Sequence, residues 1–304
     1  MATTFTLYLY ADNAERASTI SGEVFDEVDR VEQMLSNYRE TSELSRINRE
    51  AAAGPVTTDP EMMAFLAQAE QWSRASDGAF DMTVGPLMKA WGFYRHQGVI
   101  PPAGELQSLR AVTGWRNVEL DPGGIGKGFA VDAAVHILRQ DGVHAALLSA
   151  GSSTLYGLGA PPGRRGWRVI VPGPLPSTRT LSTLTLRDAS LSSADCTQKN
   201  FVAQGHLYCH IMDPRTLRPV EGRIQVSVVH PSATASDALS NVLFVQTPQQ
   251  SLRTLAASAP QARALIVSGP PGHAACAVFR WGVPPRIPSG TAAKGSAGAC
   301  SNLP

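Results

Sequence analysis

The sequence has no apolar run that approaches the ~20 residues needed to cross a bilayer. Cysteine is scarce: Cys196, Cys209, Cys276 and Cys300 form no CxxC pair and are too few for a disulfide framework. We therefore expect structural or incidental thiols in a reducing compartment. The N-terminus lacks the basic and apolar regions of a signal peptide, which predicts a cytoplasmic protein if Met1 is the native start.

An excess of either charge is absent as well. The 26 basic and 25 acidic residues give a formal net charge of +1, and no Lys/Arg run is interleaved with aromatics, so a nucleic-acid partner is not expected. What is present is a hydrophobic content of 43% in 304 residues, enough for a sizeable core. The chain becomes rich in Pro, Gly, Ala and Ser near its end, which predicts a domain over 1–284 and a disordered tail over 285–304.

Apolar periodicity predicts both helices and strands. A helix is expected over residues 23–38, because Val24, Val28, Val31 and Leu35 fall on one face. Ser42 is placed to cap a second, short helix, and Pro60 to start a third. Short strands are expected at 145–149, 167–171, 182–186 and 225–230, with a helix from 235 toward 245. Because strands and helices do not alternate strictly, the pattern favours an α+β fold.

A glycine-rich turn, GGIGKG at residues 123–128, leads into an amphipathic helix. Free backbone N–H groups and the helix dipole at such a turn favour an anion, and Lys127 adds a full positive charge. A phosphate is the expected ligand. The alternative is a tight turn whose glycines only allow close packing. Gly128 stands where a Walker loop has Ser or Thr, so the turn is not a Walker loop.

Five segments in one order, from the start of the chain to about residue 245, resemble the FAD:protein FMN transferase family, also called the ApbE family. They are LSNYR at 35–39 with SELSRIN at 42–48, GAFD at 78–81 running through GP at 85–86 to WGF at 91–93, GGIGKGFAVD at 123–132, HIMDP at 210–214, and DALSN at 237–241. The resemblance implies a single large α+β domain with mixed or antiparallel sheets flanked by helices.

The resemblance also implies an activity. Family enzymes bind FAD and, with Mg²⁺, split its pyrophosphate, transfer FMN to a Thr or Ser hydroxyl of a target protein and release AMP. By similarity, the FAD contacts are Met1, Tyr38, Ala79, Phe80, Asp81, Gly123, Phe129, Ile211 and Ser240. The metal ligands are the backbone carbonyl of Gly126 and the side chains of Asp237 and Asn241. Family proteins are usually exported, so the alternative location is the periplasm, as an inner-membrane lipoprotein, if Met1 is a trimmed start.

The implied metal site agrees with elementary chemistry. Asp237 and Asn241 are four residues apart, so on a helix both side chains point to one face, and both offer the oxygen that Mg²⁺ prefers. The family usually has Thr where this chain has Asn241, so an amide oxygen replaces a hydroxyl oxygen as the metal ligand. The alternative for Asp237 alone is a helix N-cap.

Proton transfer is assigned to His210, because an imidazole titrates near neutral pH. Its alternative is a histidine bonded into the structure ahead of Asp213. Lys127 is a second cation for the phosphates if it points inward. Phe80, Tyr38 and Phe129 offer stacking surface for flavin or adenine, or ordinary core packing.

The chain departs from the family pattern in three turns, where Ser152, Ala194 and Leu217 replace the usual glycines. Side chains at such positions restrict the backbone and fill space. Three hypotheses follow: a flavin transferase, an FAD pyrophosphatase in which water replaces the protein hydroxyl, and a non-catalytic FAD-binding homologue.

Overall fold

The computed structural model describes residues 3–95, 97–109, 119–173, 180–197, 199–269, 275–281 and 296–299. Within these residues, short 3₁₀ turns lie at Phe93–Arg95 and Pro122–Gly124. The α-helices are α1 Ala14–Leu35, α2 Glu43–Glu50, α3 Pro60–Ala75, α4 Gly85–Ala90, α5 Ala103–Leu109, α6 Gly126–Gln140, α7 Ala233–Val245 and α8 Pro248–Ser258.

An eight-stranded sheet forms the centre of the fold, in the order β1-β2-β3-β6-β11-β12-β13-β14. Every pairing in it is antiparallel. The expected α+β class is thus confirmed. The strands are β1 Phe5–Leu9, β2 Ala145–Ala150, β3 Thr154–Gly159, β4 Trp167–Pro172, β5 Thr180–Leu186, β6 Ala189–Asp195, β7 Asn200–Ala203, β8 His206–Cys209, β9 Met212–Asp213, β10 Arg218–Pro219, β11 Arg223–His230, β12 Arg263–Ser268, β13 Ala275–Phe279 and β14 Ser296–Ala299.

The first predicted helix exists, but its bounds differ from the prediction. Val24, Val28, Val31 and Leu35 are all buried, as the periodicity predicted. The helix begins earlier, at Ala14, because the side chain of Asn13 caps it by accepting a hydrogen bond from Arg16 N. It ends at Leu35 because the next residue has extended backbone angles.

Helices α6 and α7 cap each other. The carboxylate of Asp132 in α6 accepts hydrogen bonds from the start of α7, and their donors are Ser232 Oγ, Ala233 N, Thr234 N and Thr234 Oγ1. In return, Asp237 Oδ2 in α7 accepts a bond of 2.9 Å from Gly128 N, in the first turn of α6. Each helix therefore supplies the carboxylate that satisfies free N–H groups at the other's N-terminus.

The expectation of free thiols is wrong for Cys196, Cys209 and Cys276. Cys196 and Cys209 form a disulfide with a Cα–Cα distance of 5.2 Å. The physical reason is the hairpin of β7 and β8, which returns the chain on itself and brings the two residues together across 13 positions of sequence. Cys276 is disulfide-bonded too.

The predicted tail, residues 285–304, lies outside the described residues except for Ser296–Ala299. Those four residues form β14 and pair with β13, so there the structure has a strand where the sequence predicts disorder. Among the helices of the described residues, none has the length and apolarity to span a membrane.

Candidate active site

A cleft of about 300 Å³ lies where α7, the glycine turn and the segment after β8 meet. Its wall draws on segments that are far apart in the sequence. The predicted site residues on the wall are Tyr38, Ala79, Phe80, Asp81, Gly123, Lys127, His210, Ile211, Asp237 and Asn241. The fold thus gathers most of the residues that the resemblance implied.

The glycine turn is held by Asp121, whose Oδ1 accepts a 2.8 Å hydrogen bond from Gly123 N. Gly124 packs closely, because a Cβ there would lie 3.1 Å from the Phe80 ring and 3.3 Å from the Asn241 side chain. The glycine therefore allows a closer approach of the turn to α7 than a larger residue would without a shift of these neighbours. The turn thus packs closely and also lines the cleft, and its binding of a phosphate stays a prediction.

Lys127 lines the cleft from the first turn of α6. Its Nζ donates a 3.2 Å hydrogen bond to the Gly123 carbonyl, which folds the side chain back over the glycine turn. The ammonium group therefore lies beside the turn, in which the N–H groups of Gly123, Ile125 and Gly128 already donate within the protein. A phosphate at this turn would lie near a full positive charge.

Asp237 and Asn241 occupy one face of α7, toward the glycine turn. Asp237 is only 3% exposed, and the hydrogen bond from Gly128 N that it accepts comes from a neutral amide. The Asn241 Nδ2 donates to the carbonyl of Gly124 at 3.3 Å. A buried carboxylate needs a cation to offset its desolvation, so the residues present fit a bound Mg²⁺ with oxygen donors.

The predicted metal ligands include only one ionisable side chain, that of Asp237. In the described part of the chain, no cluster of three or more His, Cys, Asp or Glu side chains is arranged to hold a metal. The predicted set would not form such a cluster, because it combines one carboxylate with an amide and the Gly126 carbonyl. Mg²⁺ commonly completes so small a protein set with water and substrate phosphate oxygens.

His210 follows β8 and is partly buried on the cleft wall. Its ring Nδ1 lies 3.0 Å from the backbone carbonyl oxygen of Lys199. Because a carbonyl can only accept, Nδ1 carries the proton and Nε2 keeps its lone pair. Burial lowers the pKa of His210 below its ordinary value. The hydrogen bond to the Lys199 carbonyl and the charge of Asp195 oppose this shift, whereas the charges of Lys199 and Lys127 add to it. A lowered pKa favours the neutral form of the ring at pH 7.

Asp81 belongs to the GAFD segment and keeps its own local partners. Its Oδ1 accepts hydrogen bonds of 2.8 Å from both the N–H and the hydroxyl of Thr83. Burial raises the pKa of Asp81, and the two hydrogen bonds oppose this shift. The neighbouring Phe80 is 5% exposed, lines the cleft and belongs to the hydrophobic core.

Three predicted residues are not on the wall that the structure describes. Phe129 packs against Phe65 in the core, with ring centroids 5.0 Å apart at 72°. Ser240 is 1% exposed and donates its hydroxyl to the Asp237 carbonyl, and Gly126 is the buried first residue of α6. Met1 lies outside the described residues.

A family model described as the ApbE family matches residues 1–266. The chain belongs to the ApbE family. Its curated relatives include proteins named FAD:protein FMN transferase. The one from Vibrio cholerae is 27% identical over 275 residues, covering 83% of this chain and 81% of the relative. The one from Escherichia coli K12 is 25% identical over 264 residues, covering 78% and 74%.

Solved structures agree with this assignment. The flavin transferase ApbE from Vibrio cholerae superimposes with a TM-score of 0.77 at 25% identity, covering 88% of this chain and 91% of that one. The apo flavinyl transferase ApbE from Pseudomonas stutzeri gives 0.75 at 26% identity, covering 89% of each chain. An ApbE protein from Thermotoga maritima gives 0.79 at 25% identity, covering 88% and 92%.

The departures from the ApbE pattern fall in different environments. Leu217, in place of a glycine, has φ of 61°, a left-handed angle that costs energy for a branched side chain. Its side chain is 3% exposed and its carbonyl accepts from Trp91 Nε1, so packing offsets the strain. Ala194 is buried on the cleft wall, and Ser152 is exposed.

Sequence reasoning missed a polar pair on the wall. The Tyr94 hydroxyl donates a 2.7 Å hydrogen bond to Asp121 Oδ2. Burial raises the pKa of Tyr94 well above its ordinary value, and the negative charge of Asp121 adds to the effect. The Tyr94 ring also meets Tyr38 edge-on, with centroids 6.2 Å apart. Because Asp121 directly precedes Pro-Gly-Gly, the sequence could have predicted that it caps the turn. No sequence pattern predicts its contact with Tyr94.

Asp195 and Lys199 also line the cleft, and sequence reasoning had not singled out either residue. Asp195 ends β6, and its Oδ1 accepts a 2.7 Å hydrogen bond from Thr197 N. Asp195 directly precedes Cys196, the disulfide partner of Cys209, and Lys199 supplies the carbonyl that is bonded to His210. The cleft therefore carries carboxylates and ammonium groups around one imidazole, which suits the breaking of a phosphoanhydride.

Proposed function

We propose that this protein is a Mg²⁺-dependent FAD:protein FMN transferase that places FMN on a Thr or Ser of a target protein. One observation carries the proposal: an imidazole whose Nδ1 is bonded to a backbone carbonyl shares a cleft with a buried carboxylate and a glycine turn. Membership of the ApbE family and the names of its relatives support it.

The reaction exchanges the phosphoanhydride bond of FAD for a phosphoester bond to the target protein. The acceptor hydroxyl oxygen attacks the phosphorus of the FMN half of FAD, and the bond from that phosphorus to the bridging oxygen breaks. AMP leaves with the bridging oxygen. The hydroxyl proton passes to His210 Nε2, which can accept it because Nδ1–H is held by the Lys199 carbonyl.

The other residues bind and neutralise. Asp237, Asn241 and the Gly126 carbonyl would hold Mg²⁺, which supplies charge neutralisation for the phosphate oxygens. Lys127 would bind phosphate oxygens beside it, whereas the N–H groups of Gly123, Ile125 and Gly128 already donate hydrogen bonds within the protein. The rings of Tyr38 and Phe80 provide apolar surface for the flavin or adenine.

The test is incubation of the protein with FAD, with and without Mg²⁺, together with Ser- and Thr-containing peptides from proteins encoded beside its gene. AMP release with an FMN-sized mass gain on a peptide is the expected result. AMP alone, with free FMN, would instead establish the pyrophosphatase alternative. FAD retained intact with Mg²⁺ and all peptides would leave a non-catalytic binder.

The Asn241→Thr variant distinguishes a weak metal site from an inactive enzyme. In the present chain, Asn241 Nδ2 is bound to Gly124 O at 3.3 Å and to Asp237 O at 3.1 Å. Threonine offers a hydroxyl oxygen and removes these two bonds. A gain in AMP release at limiting Mg²⁺ would identify the metal site as the limit on turnover.

For the location, the Cys196–Cys209 disulfide favours an oxidising compartment, in line with the periplasmic alternative rather than the cytoplasmic one. Cell fractionation followed by alkylation of free thiols and intact-mass measurement tests this. Alkylated Cys196 and Cys209 in protein from the cytoplasmic fraction would restore the cytoplasmic location.

A further inference from the structure

The Cys196–Cys209 disulfide lies directly beside the proposed base. Cys209 is the residue before His210, and Cys196 is the residue after Asp195, so each half-cystine is bonded to a residue of the cleft wall. Both are buried, at 6% and 2% exposure. The bond closes the base of the β7–β8 hairpin, at the point where the hairpin meets the cleft.

Both hydrogen bonds that fix His210 come from inside the disulfide-closed loop. The Lys199 carbonyl accepts from the His210 backbone N–H at 3.1 Å and from the ring Nδ1–H at 3.0 Å. Lys199 lies between Cys196 and Cys209 in the chain. The tautomer and the orientation of the ring therefore depend on how residues 196–200 are held against residues 209–210.

The disulfide also ties Cys209 to the central sheet, because its partner Cys196 is itself bonded to that sheet. Cys196 N donates a 3.1 Å hydrogen bond to the carbonyl of Ile224 in β11, whereas β7 and β8 form a separate two-stranded sheet. Without the bond, the hairpin would still be held by aromatic packing, since Phe201 stacks on Tyr208 at 5.1 Å and Tyr208 contacts Trp91 at 5.6 Å. Loss of the disulfide would thus loosen the base of the hairpin without unfolding it.

We propose that the Cys196–Cys209 disulfide is a positioning element that holds His210 in the orientation needed for proton transfer. The proposal rests on the proposed function of His210 as the base. A base misplaced by about 1 Å can lose about a hundredfold in rate, so opening the bond should lower kcat by tenfold or more. FAD binding should persist, because Tyr38, Phe80 and Gly123 come from elements that the disulfide does not tie.

The experiment compares wild type, the double variant Cys196→Ala/Cys209→Ala and the control Cys276→Ser. Cys276 is a buried, disulfide-bonded residue of β13 outside the cleft wall. For each, AMP release gives kcat and the KM for FAD, and thermal unfolding gives Tm. The expected result is a tenfold or greater fall in kcat with unchanged KM in the double variant, and little change in kcat in the control.

Nitrogen NMR of labelled histidine provides a readout that does not need turnover, with His210→Gln to assign the signal among the seven histidines. His210 should be the Nδ1–H tautomer in wild type and a mixture of tautomers in the double variant. An unchanged His210 signal with a kcat that falls only in parallel with Tm would overturn the positioning role. If wild type releases no AMP, the proposed function fails, and the NMR comparison alone decides whether the disulfide positions the ring.

Discussion

The carboxylate of Asp237 is joined to the backbone N–H of Gly128 by a hydrogen bond of 2.9 Å. One oxygen of the proposed metal ligand is therefore held by the first turn of α6, the same turn that carries Lys127. This fixes the carboxylate before any cation binds. Preorganisation of this kind reduces the cost of assembling a charged site.

Asp237 and Asp132 should respond differently to amidation. Asp237→Asn keeps an oxygen for Gly128 N but removes the charge, so AMP release should fall about a hundredfold or more with little loss of Tm. Asp132→Asn places an amide among the donors at the start of α7, and should cost about 1–2 kcal/mol of stability. Kinetics at saturating Mg²⁺ and denaturant unfolding measure the two effects. Wild-type AMP release by Asp237→Asn would exclude it as the metal ligand.

Gly128→Ala should be destabilising, because a Cβ there would lie 2.3 Å from the Ala233 carbonyl oxygen and 2.8 Å from the Asp237 Cβ. Separating α6 from α7 should cost about 1–3 kcal/mol. Gly22→Ala is the matched control, since it lies in α1 with nothing within 4 Å of the added Cβ. That variant should gain about 0.5–1 kcal/mol. Equal unfolding midpoints for the two variants would contradict the close packing.

The pH dependence of kcat should report His210. A base must be neutral, so kcat falls as pH drops through its pKa, and burial lowers that pKa below 6.5. The acidic limb should therefore lie below pH 6.5, with full activity at neutral pH. His210→Gln should remove this limb and lower kcat by about 10²- to 10⁴-fold. A limb that persists in His210→Gln belongs to another group.

Tyr94→Phe should weaken FAD binding by removing the hydrogen bond to Asp121, which holds the glycine turn. One such bond corresponds to about a threefold to tenfold rise in KM for FAD, with a smaller effect on kcat. Tyr8→Phe is the control, because Tyr8 is 61% exposed on β1. The comparison of KM values between the two variants tests the role of the pair, and equal KM values would reject it.

The part of the fold that the sequence predicts is the part with strong local signals. Ser42 caps α2, accepting from Ser45 N, and Pro60 begins α3, both as predicted. Periodicity located the buried face of α1 but not its start, since residues 14–19 are mostly exposed and carry no apolar repeat. The residue that could have predicted the start of α1 is Asn13, because Asn is a common N-cap residue.

The missed features depend on contacts between distant segments. The Cys196–Cys209 bond forms because the hairpin between the two residues brings them together, and the Tyr94–Asp121 pair spans 27 positions. Phe129 could equally face a ligand or the core from sequence alone, and the structure places it against Phe65. Tertiary packing decides such cases, and local pattern does not report it.

The reciprocal capping of α6 and α7 has a consequence for local opening. Fraying at the start of α6 would leave Asp237 buried without the N–H of Gly128, and fraying at the start of α7 would do the same to Asp132. The two helix starts should therefore open together, as one cooperative unit. In native-state hydrogen exchange, the amides of Gly128, Ala233 and Thr234 should share one opening free energy, so a partly opened protein would lose the whole end of the cleft where α6 meets α7.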